Sequence, residues 1–287
     1  MDSPVLDGQK VMTSEQIDAL WDISDAVRGY ERLQIALGEA PRSADEIRTQ
    51  IARSLGLQRK FDQAWEELAQ ISITPSRIVR VRLDLESGRL KNSSGDKLGA
   101  KPFFLAALKE AQAARFDYYA VDAAHMLGIV ANGDESVDWN EKAIKMAQKS
   151  KDLRTHKWQG SLLNNLGWTY HDSGKFSLAL TKFQEAFDFQ KQHGDPKSVR
   201  IANWAIARCL RSLKRYDDAL AIQRELIKYP EQGYVSEELG ELLLVTHRPE
   251  EAKPHFKKAY ELLSKDIWLQ SNEKGRLERL KRLSDEA

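Results

Sequence analysis

Cysteine is nearly absent from this chain of 287 residues. The single Cys209 cannot close an internal disulfide, so no covalent staple supports the fold, and its place in an apolar helical pattern marks it as a small core residue. Its neutral surroundings give the thiol no reason to be activated. Long apolar runs are lacking too: no stretch approaches the ~18 residues that a membrane span needs. The opening MDSPVLDGQK has no basic region followed by an apolar one, so a soluble, cytoplasmic protein is expected. Asn92-Ser93-Ser94 fits a glycosylation sequon and, without a secretion signal, reads as a chance match. An excess of charge is missing as well. The 44 Lys and Arg residues stand against 43 Asp and Glu, for a formal net charge of +1, so no global field favours nucleic acid or an anionic membrane, and neither is expected as a partner.

The local signatures of catalysis are absent in turn. There is no GxxxxGK[ST] loop, no strand-linked GxGxxG, no GxSxG and no HExxH. The six histidines, His125, His156, His171, His193, His247 and His255, show no paired short spacing, and Cys209 has no companion, so no metal site and no cofactor are expected. Acidic residues are spread over helix surfaces, where solvated faces account for them. No catalytic residue is assigned, and the chain is expected not to be an enzyme.

What is present is helical periodicity. A composition of 41% hydrophobic and 30% charged residues suits either one extended or two compact domains with much exposed helix surface. Residues 161–194 hold the clearest pattern: Leu163, Leu166, Gly167 and Tyr170 recur at helical spacing, Ser173-Gly174-Lys175 makes a turn, and Ala179, Phe183 and Ala186 recur again. This is a helix, a turn and a second helix. Small residues at Gly167, Ala179 and Ala186 admit close backbone approach, while Leu166, Tyr170 and Phe183 fill the space between. A hairpin of this size cannot bury its own apolar face and needs neighbours of the same kind. The turn recurs four times: Lys60-Phe61 before Ala64, Lys175-Phe176 before Ala179, Arg215-Tyr216 before Ala219, and Arg248-Pro249 before Ala252.

The pattern resembles that of the tetratricopeptide repeat (TPR) family, with Leu-Gly, Tyr, Ala, Phe and Ala at fixed offsets over about 34 positions. The resemblance implies an all-α, right-handed solenoid of stacked antiparallel helical hairpins, about six of them, over residues 43–266. Before these, residues 1–12, with Pro4 and Gly8, read as a flexible tail. Residues 13–42 read as one N-terminal helix, capped by Thr13 and Gln16, with Ile17, Leu20, Trp21, Ile23, Val27 and Tyr30 as its apolar face. Ser43 and Glu46 then open the first hairpin. In the second, residues 87–99 read as an inserted polar, Gly-rich loop before Phe104 and Ala107. In the third, Asn132-Gly133 ends the first helix early. His193-Gly194-Asp195-Pro196 is either a longer connection or a sign of extended helices. Residues 267–287, with Trp268, Leu269, Leu277, Leu280 and Leu283, read as a capping helix whose polar face shields the last hairpin.

In the TPR family the first helix of each hairpin lines a concave groove that holds extended peptides or partner helices. Carried over, the resemblance places Asn164, Asn165, Trp168 and His171 on the inner face of the clear repeat, and Ile201, Trp204, Arg208 and Arg211 on that of the next. Asp122 and His125 precede them, and Glu237 and Glu241 follow. Asn can bond both peptide N–H and C=O, Trp offers apolar area, and Arg can fork onto a carboxylate. Trp168 and Trp204 either face such a groove or pack between helices, and Arg208 and Arg211 either bind or form a solvated face. The two-carboxylate clamp of chaperone-tail binders is not matched: Asn165 fits its middle position, but His125, Ile129, Ile201 and Ala205 stand where its other residues should be. Bacterial peptide-pheromone receptors also use groove Asn residues, and the forty or so residues before the first repeat are too few for the helix-turn-helix domain of their DNA-binding members. The expected function is a non-enzymatic interaction module or scaffold that binds a protein or peptide partner through Asn164, Asn165, Trp168, His171, Trp204, Arg208 and Arg211. The alternatives are an architectural, self-associating subunit and a regulator of a signalling partner.

Overall fold

The computed structural model describes residues 5–6, 9–21, 25–230 and 233–286. At the N-terminus, β1 (Val5–Leu6) and β2 (Gln9–Lys10) form a short antiparallel pair. Pro4 and Gly8, named above for a tail, lie outside the described residues, as does Ile23. Where one helix is expected over residues 13–42, there are two, α1 (Ser14–Asp18) and α2 (Ala26–Glu39). Thr13 and Gln16 make the expected capping box at the first, and the Asp25 carboxylate caps the second by accepting from the Arg28 amide.

Among the described residues, Ser43 is followed by helical hairpins with short helices between and after them. α3 (Ala44–Leu57) turns back into α4 (Phe61–Ala69), α5 (Arg77–Ser93) into α6 (Lys97–Ala114), and α7 (Asp117–Val130) into α8 (Gly133–Lys149). A single turn, α9 (Leu153–His156), leads to α10 (Trp158–Asp172) and α11 (Phe176–His193), then α12 (Pro196–Ser212) and α13 (Tyr216–Leu226), then α14 (Gly233–Val245) and α15 (Pro249–Leu263). The short α16 (Ile267–Asn272) and α17 (Lys274–Glu286) close the chain where one capping helix is expected. The chain divides into two compact units, residues 1–158 and 159–287.

One turn serves five of the six hairpins. Its middle residue takes left-handed backbone, at Arg59, Gly95, Gly174, Lys214 and His247. The residue after it donates its amide to a carbonyl five back, as Lys60 does to Leu55, Asp96 to Lys91 and Lys175 to Tyr170, each at 2.9 Å. This is the Schellman closure, which satisfies carbonyls left over at a helix end. The Ala three residues beyond each recurring turn, Ala64, Ala179, Ala219 or Ala252, is fully buried, so the second helix can lie close against the first.

The inserted loop expected over residues 87–99 is a correction. Residues up to Ser93 continue α5, and the turn is Ser94-Gly95-Asp96 alone. A Cβ on Gly88 would sit 2.5 Å from the Phe104 ring, just as one on Gly167 would sit 2.5 Å from Phe183 and one on Gly240 would sit 2.7 Å from Phe256. Gly88 is therefore the small partner of a buried ring, not a loop glycine, and Glu86 and Ser87 beside it are buried within the helix bundle. At Gly194-Asp195 the second of the two expected arrangements holds: α11 and α12 are long, at 18 and 17 residues, and only two residues join them.

Each unit has its own core. In the first, Ile47, Ile51, Leu55, Ala64 and Leu68 of the first hairpin pack with Ile17 and Leu33 from the two N-terminal helices. In the second, Ala179, Phe183, Ala205, Cys209, Leu210 and Leu239 share one cluster, while Phe256, Leu269, Leu277 and Leu280 share another. Cys209 is fully buried, and burial pushes its thiol up to about 11, which keeps it protonated and inert. Among the described residues no helix is long and apolar enough to cross a membrane.

Candidate binding groove of the second unit

The first helices of successive hairpins, α10, α12 and α14, present one face, and α17 adds to it. Asp195 starts α12 by accepting from the amides of Lys197 and Ser198 at 2.8 and 3.0 Å, and Pro196 fixes the first turn. From there Ile201, Trp204, Arg208 and Arg211 follow along one stripe of the helix. Trp168 on α10 meets Trp204 with ring centroids 5.8 Å apart, and its other contacts are Phe183 at 4.9 Å and His171 at 5.3 Å. Both expected roles of Trp168 are thus combined: one part of the ring joins the core and the remainder is half-exposed. Trp204 donates its indole N–H to the Tyr234 carbonyl at 3.2 Å, which fixes the ring's tilt.

The arginines are answered from within the chain. Arg211 forks onto Glu238, Nε to Oε1 at 2.5 Å and Nη2 to Oε2 at 3.1 Å, and Arg208 lies 3.5 Å from the same carboxylate while donating to Ser212 Oγ at 3.0 Å. Glu238 is buried, and burial pushes its carboxyl up against the pull of the two arginines. From α17, Arg276 forks onto Glu237 at 2.8 and 2.6 Å and reaches Glu273 at 2.9 Å, and Arg279 pairs with Glu241. His171 contacts Ser212 Oγ at 2.9 Å through Nε2. Burial, then the nearby Arg208 charge, hold its pKa below the usual histidine value, which favours the neutral ring at pH 7.

Between these groups lies a cavity of about 540 Å³, walled by Trp168, Trp204, Arg208, Arg211, Glu237, Glu241, Arg276 and Arg279 among others. A second cavity, of about 460 Å³, opens on the other side of Trp204 and is mainly apolar. Five of the seven expected residues therefore come together: Trp168, Trp204, Arg208 and Arg211 wall the charged cavity, and His171 supports Trp168. Asn164 and Asn165 line neither cavity. Asn164 is half-buried with its Oδ1 unpartnered, and the Asn165 carbonyl accepts from the Thr169 hydroxyl at 3.1 Å. Sequence reasoning missed Glu238 and the arginines of α17. Their signal was present in Arg276, Arg279 and Arg282, spaced by three between the leucines of the cap.

On the corresponding face of the first unit the charges form a buried network. Arg89 on α5 donates to Glu86 at 2.5 Å and to both oxygens of Asp122 on α7 at 2.6 Å, with Arg53 of α3 3.9 Å from Glu86. Glu86 and Asp122 are buried, and the space beside them is a cavity of only about 180 Å³. Burial drives the His125 ring down to about 4. Asp122 and His125, expected on an inner face, are part of this buried network. Among the described residues no group of three or more His, Cys, Asp or Glu side chains is placed to hold a metal ion.

No protein-family model matches the sequence, and no curated protein does. Solved structures match the fold. A tetratricopeptide repeat protein from Parabacteroides merdae is similar with a TM-score of 0.58 and 15% identity, over 94% of this chain and 96% of that one. NprR in complex with its cognate peptide NprX is similar with a TM-score of 0.62 and 13% identity, over 93% and 82% of the two chains. A Rap protein complexed with Competence and Sporulation Factor is similar with a TM-score of 0.59 and 12% identity, over 94% and 85%. At these identities the likeness is one of fold.

Proposed function

We propose that this chain, which has the tetratricopeptide-repeat fold, is a non-enzymatic, cytoplasmic interaction module that binds an extended peptide or partner segment along the α10, α12 and α14 face of its second unit. The observation that carries the reading is the cavity of about 540 Å³ set between two Trp rings and a set of opposed arginines and glutamates. Half-exposed rings offer apolar area, and fixed charges of both signs offer bonds to peptide N–H and C=O groups and to side chains. The groups are held by one another, so little order is lost on binding. The likeness to NprR and Rap structures, whose complexes contain a peptide or a named factor, supports the same reading.

The test is a screen of synthetic peptides on an array, followed by titration of the best binder against the wild type, Trp168→Ala and Glu241→Arg. Each variant is expected to bind about tenfold or more weakly, a loss of ~1.4 kcal/mol, with its helical circular dichroism retained. Unchanged affinity in both folded variants rules this face out.

A further inference from the structure

Charge pairing on α12 sets one arginine apart from its neighbours. Arg208, Arg211, Arg276 and Arg279 each have a carboxylate partner. Arg200, one turn before Trp204 on the same stripe of α12, has none among the described residues: its guanidinium lies over the Tyr229 ring, 5.0 Å from the centroid. It stands at the cavity of about 460 Å³, with Lys197 a turn away. The walls there are Ile201, Trp204, Leu226, Tyr229, Tyr234 and Val235. Three of these are large apolar side chains left open to solvent, Ile201 at 51%, Tyr229 at 48% and Tyr234 at 40% exposure. Exposed apolar groups scattered singly need no explanation, but groups that converge on one hollow of ligand size do. The Trp204 ring is already fixed by its bond to the Tyr234 carbonyl, so the wall is preformed.

We propose that this cavity takes a large apolar side chain of an extended peptide whose neighbouring residue carries a carboxylate. The apolar group enters between Ile201, Trp204, Tyr229 and Tyr234, and the carboxylate meets Arg200. The inference rests on the peptide-binding reading above and gives the ligand's chemistry at one end of the groove, since Trp204 lines both cavities. An apolar residue beside a lysine would bring like charge against Arg200, and an uncharged neighbour would leave the guanidinium unanswered.

The experiment uses the full chain on an array of synthetic peptides in which each Phe, Trp, Leu or Ile is flanked by Glu, Gln or Lys. The wild type is expected to retain the Glu-flanked members about tenfold better than the Lys-flanked ones. Arg200→Glu should invert that preference, and Ile201→Ala should weaken all apolar members while keeping the preference for Glu. Both positions are solvent-facing, so the variants are expected to fold. Peptides retained with no preference for Glu, or a preference unchanged in Arg200→Glu, overturn this inference and leave the groove reading standing. No peptide retained at all overturns both. A concentration-dependent dimer of the free chain in light scattering, abolished by Ile201→Ala, assigns the cavity to a second copy and overturns the inference as well.

Discussion

Arg89 in the first unit and Arg211 in the second hold comparable places. Each projects from the first helix of a hairpin and donates to both oxygens of a buried carboxylate on the next first helix, 33 and 27 residues on, Arg89 through Nη2 alone and Arg211 through Nε and Nη2. The surroundings differ. Arg89 has a second buried partner in Glu86, and lines a cavity of about 180 Å³ with Leu57, Leu90 and Met126. Arg211 shares its carboxylate with Arg208 beneath the Trp168 and Trp204 rings, and the space there is about 540 Å³. An Arg–carboxylate pair joins neighbouring hairpins in both units, and the residues beside it differ: aliphatic side chains in the first, Trp rings in the second. In both units the charges are paired within the chain, and in the second two Trp rings line a cavity beside them.

The largest expected effect falls on the closed face. Arg89→Ala leaves Glu86 and Asp122 buried without their main partner, and should cost about 3–5 kcal/mol in denaturant unfolding. Arg279→Ala at the open face, where the side chain is 44% exposed, should cost no more than about 1 kcal/mol. Equal costs would erase the distinction between the closed and the open face. Next in size are Gly88→Ala and Gly167→Ala, one in each unit, whose added Cβ would meet a buried Phe ring at 2.5 Å. Each should cost about 1–3 kcal/mol by the same unfolding measurement. A cost at Gly167 alone would mean that the 76–114 hairpin does not share the frame.

The closed face should also show a pH dependence. The folded His125 pKa of about 4 lies below its unfolded value of roughly 6.5, so the folded state binds fewer protons. Its stability is complete above pH 6.5 and is lost as pH falls from there towards 4, by about 1–3 kcal/mol. His125→Gln should flatten that part of the stability profile measured by urea titration, and an unchanged slope would locate the acid sensitivity elsewhere.

The frame was legible because its small and large residues recur at fixed offsets. Gly167 with Phe183 and the turn before each buried Ala carry the hairpins whatever the surface does. The hairpin at 76–114 was misread because Ser87, Arg89, Lys91, Asn92 and Ser93 interrupt the apolar spacing along α5, and only the pairing of Gly88 with Phe104 reveals it. The groove was legible at its rings: Trp168 and Trp204 meet as their places on successive first helices imply. Its charges were not, because the partner of Arg211 is a residue 27 positions away whose burial no local pattern reports. Asn164 and Asn165 illustrate the converse, since a residue that is poor for helix stability need not line the cavity.

The most direct measurement is backbone hydrogen exchange of the whole chain, with and without the tightest peptide from the array. Added protection is expected in α10, α12 and α14, with the helices of the first unit unchanged. Protection confined to α3, α5 and α7 would contradict it.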